Sequence, residues 1–188
     1  MQRSALFLDR DGVINVDRGY IHRPDQFEFM TGVFDLARFV VNDLRWGLVI
    51  VTNQSGIGRG FFDERAYDHL TRWMCDRFVD EKAPITKVYH CPYHPKFGIG
   101  VYRRDHPWRK PKPGMILQAA ADLDLDLMRS AIIGDSTDDM MAGAAAGIGL
   151  CIRLRSRNPI TAADRAAHEV VNLAEALALL RSWLRSEG

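Results

Sequence analysis

A four-residue apolar run, Ala5-Leu6-Phe7-Leu8, stops abruptly at Asp9-Arg10-Asp11-Gly12, and this junction constrains the chain more than any other stretch. A run that is apolar at every position reads as a strand buried on both faces. Side chains two apart on an extended backbone project to the same side. Asp9 and Asp11 therefore share a face, Arg10 turns away, and Gly12 supplies a turn that a side chain would crowd. Two carboxylates at the end of a buried strand are costly, because like charges repel and desolvation penalises both. Such a pair calls for a divalent cation or a chemical task. A solvated turn is the alternative for this stretch taken alone.

The same grammar continues downstream. Val33, Phe34, Ala37, Val40, Val41 and Leu44 have helical spacing over 32–45. Residues 48–51 read as a second buried strand, ending in polar Thr52-Asn53-Gln54-Ser55-Gly56. Asp63 can cap an amphipathic helix running to about Lys82. Residues 86–90 read as a strand, 91–113 as irregular and rich in Pro, Gly and basic residues, and 114–125 as a helix. Ala131-Ile132-Ile133-Gly134 is a fourth strand ending at Asp135, and the small residues from Ala142 to Ala146 let the following helix pack closely on a sheet. Residues 149–154 and 169–171 read as strands and 173–185 as a terminal helix. Alternating strand and helix predicts an α/β fold: a doubly wound, mostly parallel, Rossmann-like sheet with helices on both faces. One domain over 1–188 is expected, with no separate cap domain, since the named elements fill the stretches between motifs.

Charge and composition narrow the function. A net charge of +1 gives no global attraction to nucleic acid or acidic membranes. No apolar run approaches the roughly 20 residues of a membrane span. Met1-Gln2-Arg3-Ser4 lacks a signal-peptide layout, and Cys75, Cys91 and Cys151 are too sparse for a disulfide framework. A cytoplasmic monomer with a small-molecule substrate is expected.

Polar residues cluster after the strands, where such folds place their sites. Asp9, Asp11, Thr52, Asn53, Lys110 and Asp135 converge there. Asp9, Asp135 and a backbone carbonyl offer hard oxygens suited to Mg²⁺. Thr52 and Asn53 offer neutral donors, and Lys110 a point charge that suits phosphate. Together they describe a phosphoryl group beside a carboxylate nucleophile. In that reading Asp9 attacks phosphorus, while Asp11 protonates the leaving alcohol and then activates water. Anionic neighbours are expected to keep Asp11 protonated for the first step. Singly, Thr52 and Asn53 also read as a helix cap, and Lys110 as a solvated charge.

Phe7-Leu8-Asp9-Arg10-Asp11-Gly12, Val51-Thr52-Asn53-Gln54-Ser55-Gly56, Arg109-Lys110-Pro111 and Ile133-Gly134-Asp135 resemble the four ordered motifs of the haloacid dehalogenase (HAD) superfamily. Asn15-Val16-Asp17-Arg18-Gly19-Tyr20, Gln26-Phe27-Glu28-Phe29 and Lys112-Pro113-Gly114-Met115 resemble, more narrowly, its heptose-bisphosphate and histidinol-phosphate phosphatases. The resemblance spans essentially the whole chain. It implies a Mg²⁺-dependent phosphoric monoester hydrolase working through an aspartyl phosphate, with a heptose bisphosphate as substrate. Histidinol phosphate or another small phosphomonoester is the alternative. By the same resemblance Asp9 is the nucleophile, Asp11 the general acid/base, and Thr52 and Lys110 stabilise the phosphoryl group. Asp9, the Asp11 carbonyl and Asp135 match the metal ligands. Asp17, Arg18, Gly19, Tyr20, Asn53, Gln54, Ser55, Arg109 and Ser136 match substrate contacts. Asp139 is expected to orient the metal site from behind. Phospho-acceptor switch domains share an acidic pocket with Thr and Lys, but have no use for a general acid/base at Asp11.

The basic loop carrying Lys96, Arg103, Arg104, Arg109, Lys110 and Lys112 suits a substrate with a second phosphate. Relatives hold such a loop with zinc on a Cys-x-His and a Cys-x-Cys pair. Here the first pair reads Cys91-Pro92-Tyr93 and the second His106-Pro107-Trp108. Tyr93 and Trp108 cannot ligate zinc as Cys or His would, so structural zinc is expected to be absent and aromatic and proline packing to hold the loop. A rearranged site on His90, Cys91, His94 and His106 is the alternative.

Overall fold

The computed structural model describes residues 3–156 and 167–186, so the first two residues of the N-terminal stretch lie outside it. Six strands, β1 (Ala5–Leu8), β2 (Gly47–Asn53), β3 (Lys87–Cys91), β4 (Ala131–Gly134), β5 (Leu150–Leu154) and β6 (His168–Val170), form one sheet in the order β3-β2-β1-β4-β5-β6. Every pairing is parallel. The helices are α1 (Val33–Arg38), α2 (Ser55–Gly58), α3 (Glu64–Asp80), α4 (Gly114–Leu123), α5 (Thr137–Ala146) and α6 (Leu173–Ser186).

Burial explains why β1 shows no alternation. Leu6 and Leu8 enter a core with Val33, Leu36, Leu70, Phe78 and Leu180, from α1, α3 and α6. Ala5 and Phe7 enter the opposite core with Met115, Ile116, Ala119 and Ala142, from α4 and α5. Both faces are covered, so both sets of side chains must be apolar; burial contributes about 1.5–3 kcal/mol for each Leu or Phe.

The strand order places the site. The chain leaves β1 through α1 on one face and leaves β4 through α5 on the other. Diverging connections open a crevice at the carboxyl ends of these neighbouring strands. Asp9 follows β1 and Asp135 follows β4, so the two acids meet there.

Some boundaries differ from the sequence reading. The helix over 32–45 is α-helical only to Arg38, after which Phe39–Asp43 widens into a π-helical turn. The Leu44 N–H reaches the Phe39 carbonyl, and Val40 stays fully buried. The polar run after β2 contains the short α2, which its two glycines conceal from propensity. Both are there for contact: a Cβ on Gly56 would collide with Phe62, and one on Gly58 with the Pro92 carbonyl. Strand β6 begins one residue earlier than expected. Asp63 caps α3 as anticipated, its Oδ1 accepting from the Ala66 N–H at 2.8 Å. Among the described residues, no helix is long and apolar enough to cross a membrane.

Candidate active site

Asp9 is held at the tip of β1, its N–H donating to the Ile133 carbonyl of β4. Its Oδ1 accepts from the Arg10 N–H at 2.7 Å and lies 3.0 Å from Lys110 Nζ. Lys110 is buried, and its ammonium also donates to the Val51 carbonyl at 2.8 Å and to Asp139 Oδ1. Asn53 anchors the backbone from which Lys110 rises. Its Nδ2 donates to the Lys110 carbonyl, and its Oδ1 accepts from the Lys110 N–H, both at 3.1 Å. The second motif therefore fixes the third beside the first.

Asp9, Asp135 and Asp139 each offer an oxygen within 4.8 Å of the others, the one group of metal-ligating type found among the described residues. Asp139 is fully buried and also closes a capping box at the start of α5, accepting from the Ser136 N–H at 3.2 Å and from the Ser136 Oγ at 2.6 Å. Two close approaches depend on glycine. A Cβ on Gly12, whose φ is +87°, would collide with Asp135 Oδ2, and one on Gly134 with Asp139. Burial pushes the Asp9 carboxyl up to about 8 against the pull of Lys110, with Asp139, Asp11 and Asp135 adding to the rise. Burial and Asp139 push Asp135 up to about 7. Burial alone would lower the Lys110 ammonium, but Asp139 and Asp9 outweigh it and hold it above its ordinary value. Crowded, desolvated carboxylates of this kind fit a hard divalent cation, which favours their ionised forms.

Asp11 is placed differently from the sequence reading. Arg10 does not turn away: it is buried, and its Nη2 lies 3.0 Å and 2.8 Å from the two Asp11 oxygens. Asn15 Nδ2 donates to Oδ1 at 3.0 Å, and Gln54 Nε2 to Oδ2 at 2.9 Å. Asp11 thus faces donors from Arg10, Asn15 and Gln54 as well as the neighbouring Asp9. Gln54 Nε2 also donates to the buried Thr52 Oγ1 at 2.9 Å, linking the first and second motifs. Arg10 and Asn15 went unassigned from sequence, where the only signal was polar residues flanking Asp11 in a stretch that had to be buried.

Asp11, Asp17, Gly19, Tyr20, Asn53, Gln54 and Ser55 line one cavity of about 330 Å³. The Asp17 side chain accepts from the Gly19 N–H at 2.8 Å, and positive φ at Gly19 and Tyr20 carries the Tyr20 ring to within 4.6 Å of Phe61. Arg18 does not join this lining; it pairs with Glu28 outside. Arg109 donates to the Tyr93 carbonyl at 3.2 Å, and Ser136 is the N-cap of α5.

Comparison with known proteins agrees with this geometry. A HAD-hydrolase-like family model matches residues 107–178. A D-glycero-β-D-manno-heptose-1,7-bisphosphate 7-phosphatase of Vibrio cholerae is 46% identical over 171 residues, which is 91% of either chain. This chain belongs to the HAD-like hydrolases, in the heptose-bisphosphate 7-phosphatase family. Within that family, a D-glycero-α-D-manno-heptose-1,7-bisphosphate 7-phosphatase of Burkholderia mallei is 45% identical over 92% of this chain and 90% of its own. The crystal structure of a D,D-heptose 1,7-bisphosphate phosphatase from B. bronchiseptica, complexed with magnesium and phosphate, superposes with a TM-score of 0.78 at 26% identity, covering 95% of this chain and 98% of that one.

Where the family's zinc loop would lie, rings are stacked. Tyr93 lies on His106 at 4.4 Å between centroids, with the Arg104 guanidinium over Tyr93 at 4.1 Å and Trp108 against Tyr89 at 6.0 Å. His90 Nε2 meets Glu64, while Nδ1 of His94 and of His106 accepts backbone N–H groups. Among the described residues, no three of His90, Cys91, His94 and His106 bring ligand atoms together.

Proposed function

We propose that this hydrolase removes the 7-phosphate of D-glycero-D-manno-heptose 1,7-bisphosphate, in nucleotide-heptose synthesis, through a phosphorylated Asp9. The observation that carries the reading is the placement of Lys110 Nζ against both Asp9 and Asp139, at the crevice where Asp135 also arrives. A carboxylate beside a buried ammonium can accept a phosphoryl group whose charge the ammonium then shares.

Asp9 attacks phosphorus, and the bond to the sugar oxygen breaks as Asp11 gives that oxygen a proton. Asp11 then takes a proton from the water that attacks the acyl phosphate, returning Asp9 as a carboxylate and releasing inorganic phosphate. The Arg10 N–H and the Lys110 ammonium both meet Oδ1 of Asp9, and this reading gives the attack to Oδ2. Thr52 and Lys110 steady the phosphoryl oxygens. Asp9, Asp135 and the Asp11 carbonyl would hold Mg²⁺, which would supply further positive charge there. Asp17, Gly19, Tyr20, Asn53 to Ser55, Arg109 and Ser136 contact the substrate. One phosphatase domain over 1–188, working as a cytoplasmic monomer without a nucleic-acid, membrane or zinc requirement, completes the reading.

Phosphate release from both anomers of the heptose bisphosphate, from sugar monophosphates and from histidinol phosphate, each with and without Mg²⁺, tests it. The bisphosphate should be hydrolysed fastest, over many turnovers, and only with the metal. A single stoichiometric phosphorylation without release would favour a switch domain instead.

A further inference from the structure

The basic residues near the mouth sort into paired and unpaired. Arg18 pairs with Glu28, Lys112 with Asp105, and Lys110 with Asp9 and Asp139. Arg59, which the basic-loop argument does not include, has no carboxylate partner among the described residues, and its buried Nε has no hydrogen-bond partner. Its guanidinium instead approaches two rings, 4.5 Å from the Phe97 centroid and 5.7 Å from that of Tyr20.

The seat is built by close contact. Arg59 stands one helical turn after Ser55, its N–H donating to the Ser55 carbonyl at 2.9 Å. Residues four apart on a helix share a face, and Ser55 and Tyr20 both line the cavity that contains Asp11. A Cβ on Gly56 would meet Tyr20 and Phe62, and one on Gly58 would meet Pro92 and Tyr102. Three segments are thereby clamped together around Arg59. His94, close by, is pulled below its ordinary range by burial first and then by the charges of Arg109, Arg59 and Lys96.

We propose that Arg59 is a specificity-determining residue that binds the substrate's second phosphate, the one that is not hydrolysed. The inference rests on the bisphosphatase reading. Contact with two rings restrains the guanidinium, and N–H groups that meet no carboxylate can engage a dianion in bidentate fashion.

Arg59→Met keeps an apolar stem near Tyr20 and Phe97 and removes the charge. Steady-state kinetics on heptose 1,7-bisphosphate and on heptose 7-phosphate should show kcat/KM for the bisphosphate falling about 10- to 100-fold, mainly through KM, with the monophosphate changed less than about twofold. Arg59→Lys should restore part of the loss. Equal losses on both substrates would reduce Arg59 to a structural role, and an unchanged preference in Arg59→Met would remove the role altogether. Wild-type enzyme without a preference for the bisphosphate would instead overturn the substrate reading, and the proposal with it.

Discussion

Arg10 and Asp11, adjacent in sequence, form an ion pair in which one guanidinium nitrogen spans both carboxylate oxygens, at 3.0 Å and 2.8 Å. On a regular strand these side chains would diverge. They meet because β1 ends at Leu8 and the chain curls back, the N–H groups of Ile14 and Asn15 both turning to the Arg10 carbonyl. Arg10 also donates to the Ile21 carbonyl at 2.9 Å, so one buried residue ties Asp11 to the loop lining the cavity.

In the proposed reaction Arg10 therefore positions Asp11. Arg10→Gln should lower kcat by about 10- to 100-fold with KM within about threefold, since orientation rather than binding is lost. Breaking the pair should cost about 3 kcal/mol in urea unfolding, and Arg10→Lys should recover part of both. An unchanged kcat would remove the positioning role.

Asp139 serves Lys110 in the same way. It is buried, touches no solvent and spends its oxygens on the Lys110 ammonium and Ser136. Asp139→Asn leaves Lys110 with Asp9 alone, and should reduce stability by about 3 kcal/mol and kcat by at least about tenfold. Denaturant melts beside phosphate-release assays check both numbers.

Gly12 is required by its conformation and by the space that Asp135 occupies. Gly12→Ala should cost about 1–3 kcal/mol from the positive φ, and should raise the Mg²⁺ concentration for half-maximal activity about tenfold or more as Asp135 is displaced. Titrating activity with Mg²⁺ measures the second effect separately from the first.

A pH dependence follows from the crowded acids. Burial and crowding push Asp135 up to about 7 and Asp9 up to about 8, both far above the ordinary 3.8. The folded state then holds protons that the unfolded chain has lost, so stability is greatest below about pH 4 for these groups and falls as pH rises toward 8. A bound divalent cation favours the ionised forms and cancels this loss. Melting temperatures in chelator should drop between about pH 5 and pH 8, and Mg²⁺ should raise them more at the upper end. Equal Mg²⁺ effects at both ends would contradict the assignment.

Much of this was legible before any coordinates. Buried strands announced themselves as unbroken apolar runs, and their polar ends marked the crevice, because a parallel sheet covered on both faces permits little else. The meeting of Asp9 with Asp135 was legible this way, whereas Lys110 lies in an irregular loop and follows no strand. Arg10 was misplaced because strand alternation was extended past Leu8 into a turn. Arg59 and Asn15 escaped because their roles depend on contacts with Phe97 and Asp11 that no local pattern encodes. The π-helical turn at Phe39–Asp43 leaves nearly the same spacing of apolar residues as an α-helix, so periodicity could not separate the two.

The most direct measurement is of Asp9 itself. Wild-type enzyme mixed with labelled heptose bisphosphate and Mg²⁺, then quenched in acid within one turnover, should yield a labelled peptide containing Asp9, and Asp9→Asn should neither label nor release phosphate. Full, metal-dependent phosphate release by Asp9→Asn would contradict the account.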